Sequence, residues 1–218
     1  LPSVNVDSML QADELEMEQG LPLRFGYPHR VEIDIKAAGR RKDLPDEGTV
    51  WRIQIECPGA NTVNLSYQDF WLPNGATLFV YNPEDSTQYT GPITSDFNKP
   101  SGKMATGLVR GEKMIVEYFE PEIVAQAGGF VIQSVVHGYR GLGQILGVKR
   151  DAETIRKSAD YGDSAPCNID VNCPEGDPWK EQIRSVVMIG IDDPDPDIFA
   201  VTRFCSGALV NNVREDGR

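Results

Sequence analysis

Apolar side chains recur at every second position along much of this chain, in short runs cut off by Gly, Pro and Asn. Only an extended strand places residues i and i+2 on one face, so each run predicts a half-buried β-strand. In residues 30–36, Val31, Ile33 and Ile35 alternate with charged neighbours, and in 50–56 Trp51, Ile53 and Ile55 alternate with Arg52, Gln54 and Glu56. Val63, Leu65 and Tyr67 continue the pattern, and the turn sequence L-P-N-G-A at 72–76 leads into the β-formers of 77–81. Further runs at 104–109, 113–119 and 130–136 are parted by Arg110-Gly111-Glu112 and by the stretch 121–129. About eight short strands in roughly 110 residues predict an all-β fold, an antiparallel β-sandwich or jelly-roll-like unit, over any βαβ arrangement. The 21 Gly and 15 Pro agree with many short strands.

Two stretches break the period. Residues 1–28 are acidic and weakly patterned, with Asp13, Glu14, Glu16 and Glu18 in a short helix before Pro22 and Pro28. Residues 147–166 are polar, charged and bounded by Gly147 and Pro166, which reads as a linker. Beyond it, 182–191 and 199–210 are strand-like runs around the acidic turn 192–197, expected to form a hairpin that opens a second β unit. The expected division is therefore 1–150, a linker at 151–166, and 167–218. The ends, Leu1 and the polar 211–218, are expected to be cut ends.

Charge and cysteine usage narrow the function classes. A net charge of −12 leaves nothing to neutralise a run of phosphates, so nucleic acid is excluded as an expected partner. No apolar run reaches the ~20 residues that cross a bilayer, so no membrane span is expected. Of the 4 cysteines, Cys167, Cys173 and Cys205 lie in the last quarter while Cys57 stands alone, and no C-x-x-C spacing suggests zinc. The late cysteines read as disulfide candidates in a secreted or extracytoplasmic protein, some with partners beyond Arg218.

Candidates for chemistry are few. The turn with Asp192, Asp193, Asp195 and Asp197 could hold calcium, but an EF-hand loop from Asp193 would need Gly and Glu where Ile198 and Phe204 stand, and a solvated hairpin turn is the better reading. His29 and His137 share no motif with a nucleophile and are read as structural or surface residues. Cys57, without a basic neighbour, reads as a buried small apolar residue. Asn64-Leu65-Ser66 is a glycosylation sequon. Trp51, Phe70, Trp71, Phe79, Tyr81 and Tyr89 could line a sugar-binding face, although alternating aromatics more often form core. No G-x-S-x-G, H-E-x-x-H, P-loop or Rossmann pattern occurs. No catalytic residue, cofactor or metal is expected.

The stretch C-N-I-D-V-N-C-P-E-G-D-P-W-K-E-Q-I-R at 167–184, followed by F-C-S-G-A-L-V-N-N at 204–212, resembles the start of the catalytic domain of bacterial lysyl endopeptidase-type serine peptidases. P-L-R-F-G (22–26), V-W-R-I (50–53), P-G-A (58–60), F-W-L-P-N-G-A (70–76), G-P-I-T (91–94) and H-G-Y-R-G (137–141) are similar to the prodomain of such precursors. The resemblance implies a secreted precursor: a β-sandwich prodomain that assists folding and latency, a processing linker, and the first hairpin of a trypsin-like β-barrel. It also implies that the triad His, Asp and Ser lie downstream, so that this chain is inactive by itself. Its implied partners are the downstream catalytic domain and, for the whole enzyme, protein substrates. Cys167, Cys173 and Cys205 match family cysteines that pair further downstream, and Arg150, Arg156 and Lys157 are the processing candidates. The alternative from another class is an extracellular β-sandwich module that binds carbohydrate or protein.

Overall fold

Alternation gives each strand one apolar face, and the protein buries these faces by stacking two antiparallel sheets. The computed structural model describes residues 1–21, 24–140, 174–193 and 201–209. An N-terminal helix, α1 (Val6–Glu18), precedes β1 (Gly26–Asp34), the short α2 (Ile35–Ala38), β2 (Arg40–Leu44), β3 (Gly48–Glu56), β4 (Thr62–Trp71), β5 (Thr77–Asn82) and β6 (Asp85–Ile93). Then come β7 (Met104–Ala105), β8 (Val109–Arg110), β9 (Lys113–Pro121) and β10 (Gly129–Gly138). One five-stranded sheet runs β1-β10-β4-β7 with β8 also on β4; the other runs β2-β3-β9-β5-β6. The all-β, antiparallel sandwich expected from the period is the architecture observed.

The core lies between the sheets. On β9, Met114, Val116 and Tyr118 are fully buried while their neighbours are half-buried, and the register sets Ile53 and Val80 beside Val116 and Leu78 beside Tyr118. Phe130 of β10 joins the layers, its ring centroid 5.2 Å from Tyr67, 5.7 Å from Phe70 and 5.6 Å from Tyr118 across the sandwich. Trp51 stacks on Tyr118 at 5.5 Å, and Lys36 Nζ lies 4.8 Å from the Trp51 centroid. Edge strands carry what a central strand cannot: β1 holds Pro28 and exposes Arg30, Glu32 and Asp34, which discourages pairing with another chain.

Several elements differ from the sequence reading, each for a local reason. The run at 30–36 stops being a strand at Asp34, whose carboxylate accepts the amides of Lys36 and Ala37 at 2.8 Å each and so caps α2. The single strand expected at 104–109 is interrupted, because Thr106 turns its Oγ1 to the Leu65 amide (3.1 Å) and splits the edge into β7 and β8. Strands β2 and β6 are not visible in the alternation; both are polar edge strands held by backbone pairing to β3 and β5. The strand-like run at 182–191 begins as a helix, α3 (Lys180–Ser185), before β11 (Val186–Asp193).

β11 pairs antiparallel with β12 (Val201–Ala208), from Val186 opposite Ala208 to Asp193 opposite Val201, giving the expected hairpin. Ile189 and Ile191 on it are 45% and 42% exposed, so the described residues leave part of its apolar surface uncovered. No helix among the described residues is long and apolar enough to cross a membrane.

Candidate functional site

The hairpin does not stand free of the sandwich; it meets the residues just ahead of β1, and charged side chains converge there. Arg24 and Arg203 form an antiparallel bridge, the Phe25 amide donates to the Thr202 carbonyl at 2.9 Å, and the buried Thr202 hydroxyl donates to the Gly26 carbonyl. From the other side, the amides of Tyr139 and Arg140 donate to the Phe25 carbonyl at 3.1 and 3.4 Å. Gly26 must lack a side chain, because a Cβ there would fall 2.6 Å from Val136 Cγ1.

Helix α1 lays Asp13 and Glu16 over this junction, three residues apart and hence on one helical face. Asp13, 1% exposed, accepts from Arg24 Nε (2.8 Å), Arg140 (2.8 Å) and the Tyr139 hydroxyl (2.9 Å). Glu16 reaches Arg203 at 2.8 Å and Arg24 at 3.5 Å. Burial pulls Arg24 toward losing its proton, but the Asp13 hydrogen bond and the surrounding charge outweigh it and raise its pKa. Burial, reinforced by the Asp13 charge, likewise pushes the Tyr139 phenol up. Both groups therefore keep their protons, and a buried carboxylate is balanced by two guanidiniums and a phenol. Such an arrangement binds and positions; it holds no nucleophile.

The imidazoles sit elsewhere. His29 and His137 lie with centroids 6.2 Å apart, and neither ring nitrogen of the fully buried His137, nor His29 Nε2, has a hydrogen-bond partner. Among the described residues no hydroxyl or carboxylate is bonded to these three ring nitrogens, the contact by which a triad base is recognised. Cys57 is buried and free, its thiol pushed up to about 11 by burial, which makes it a core residue and not a nucleophile. Among the described residues no group of His, Cys, Asp and Glu could hold a metal ion. Asn64 of the sequon is 6% exposed within β4 and closed to a modifying enzyme in the folded protein.

The six aromatic candidates are divided. Trp51 and Phe70 are core, Trp71 lies 43% exposed on the first sheet, and Phe79, Tyr81 and Tyr89 belong to β5 and β6 of the second. Cys205 lies in β12 opposite Ile189, with its side chain outside the described residues. Cys167, Cys173, Arg150, Arg156, Lys157, Asp195 and Asp197 also lie outside them.

The sequence reading passed over Asp13, Glu16, Arg24, Tyr139, Arg140 and Arg203 as functional residues. A signal was present: P-L-R-F-G and H-G-Y-R-G, more than 100 residues apart, contribute Arg24, Phe25, Tyr139 and Arg140 to one junction.

Residues 161–218 match the family model of the lysyl endopeptidase C-terminal domain. The chain is thus lysyl endopeptidase-related over that segment, and protease-associated. The matched segment contains the hairpin and Arg203, the residue that reaches back to α1. No solved structure matches the chain.

Proposed function

We propose that this chain is the N-terminal part of a secreted serine endopeptidase precursor. In this reading residues 1–150 are a sandwich prodomain that assists folding and keeps the enzyme latent. Residues 151–166 are the processing linker, cut after Arg150, Arg156 or Lys157, and 167–218 open the trypsin-like peptidase domain. The observation that carries the reading is the family match over 161–218. The half-exposed Ile189 and Ile191 support it, since a hairpin with uncovered apolar residues belongs to a larger core. So does the contact of that hairpin with the sandwich, which gives the two units a means of acting on each other. The chain contributes binding and scaffolding, not the chemical step.

A refolding assay tests this. A precursor carrying these 218 residues and the rest of a peptidase domain should recover lysyl or arginyl amidase activity after denaturation, and the same protein lacking 1–140 should recover little. Equal recovery by both forms would remove the folding role.

One observation favours a second reading, a carbohydrate-binding sandwich. Phe79 and Tyr81 alternate with inward-facing Leu78 and Val80, and Tyr81 stands opposite the 59% exposed Tyr89, forming an aromatic strip on the outer face of the second sheet. Retention of the chain on insoluble polysaccharide, lost in Tyr89→Ala, would favour it.

A further inference from the structure

The hairpin's seat on the sandwich sets two like charges face to face. Arg24 and Arg203 are direct partners in the antiparallel bridge, and the neighbouring Phe25-to-Thr202 bond makes theirs the close, non-hydrogen-bonded type of pair. Two guanidiniums in that position repel, and the pairing would be unfavourable without a counter-charge. Helix α1 provides it. One Glu16 oxygen approaches Arg24 and the other approaches Arg203, while Asp13 takes the Nε side of Arg24. These side chains are only 14–27% exposed apart from the nearly inaccessible Asp13, so solvent screens them incompletely.

We propose that α1 is an electrostatic clasp. By neutralising the Arg24–Arg203 pair, it docks β11–β12 against the start of β1 and gives the sandwich a binding surface for the segment that matches the lysyl endopeptidase. The clasp is non-covalent and spans the connection between Arg140 and Pro174, so scission of that connection leaves the hairpin held. Its significance for latency rests on the prodomain reading, whereas the docking does not.

Hydrogen exchange of the intact 218-residue chain tests the clasp. In the wild type, peptides containing Phe25 and residues 201–209 should be protected. E16K should speed their exchange by about tenfold or more, the scale of a lost charge-assisted bond, while peptides of β9 stay protected as the check on folding. The double variant E16K/R203E should restore protection, because the carboxylate introduced at position 203 then faces both Arg24 and the ammonium introduced at position 16. Unchanged exchange in E16K, or no recovery in the double variant, overturns the proposal. If E16K also exposes β9, E16Q is compared with wild type at low and at about 1 M salt: protection should fall with salt in the wild type and respond less in E16Q. An equal salt response overturns it. A failed refolding assay leaves this exchange pattern intact and a lost pattern leaves refolding free to succeed, so the two readings fail separately.

Discussion

Asp13 is nearly inaccessible to water, yet it sits on a helix whose sequence reads as a solvated acidic end. Its burial is tolerated because Arg24, Arg140 and Tyr139 satisfy its oxygens, and removing it takes a buried counter-charge from two guanidiniums. Asp13→Ala should therefore cost about 3–5 kcal/mol in urea unfolding. Glu84→Ala, which breaks only the exposed pair with Lys113, should leave the unfolding midpoint almost unchanged. The histidines give a pH dependence. Burial first, then the N-terminal charge at His29 and the neighbouring His29 at His137, lowers the pKa of both histidines, with Glu112 opposing this at His137. Each stays neutral in the fold at pH values where the unfolded chain binds a proton. Their contribution is intact above about pH 6.5 and is lost as pH falls toward the folded pKa, by at most about 1.4 kcal/mol per pH unit for each histidine. Thermal unfolding from pH 8 to 5 should show this decline, and His137→Phe should flatten it.

At the scale of elements, the central strands carry the stability. Leu78 is fully buried between β9 and β6, and Leu78→Ala should cost about 2–5 kcal/mol, whereas Tyr89→Ala on the outer strip should stay within about 0.5 kcal/mol. The β2–β3 turn ends on Gly48 at φ 151°, where a Cβ would lie 2.1 Å from the Glu120 carbonyl. Gly48→Ala should therefore destabilise by more than about 1 kcal/mol, read from the same denaturation curves. Alternation found β3, β5, β9 and β10 because one face of each is buried. It missed β2 (RRKDL) and most of β6, whose backbones are paired while their side chains remain wet. It misread 182–185 because the polar residues around Ile183 fit a helix turn as well as a strand end.

For the whole molecule, the prodomain reading predicts that limited trypsin cuts first after Arg150, Arg156 or Lys157, as N-terminal sequencing would show. First cuts at Lys103 or Lys113 would overturn the linker. What the sequence by itself determined is the all-β sandwich, the acidic N-terminal helix, the C-terminal hairpin and the kinship of its last quarter, because each is written in a local period or a contiguous motif. Only the tertiary structure decided that Asn64 and His137 are buried, and that Asp13 and Glu16 face Arg24, Arg140 and Arg203. The reason is physical: a strand's face is set by neighbours two residues away, whereas an ion cluster is set by chain crossings of more than 100 residues, which no local pattern encodes.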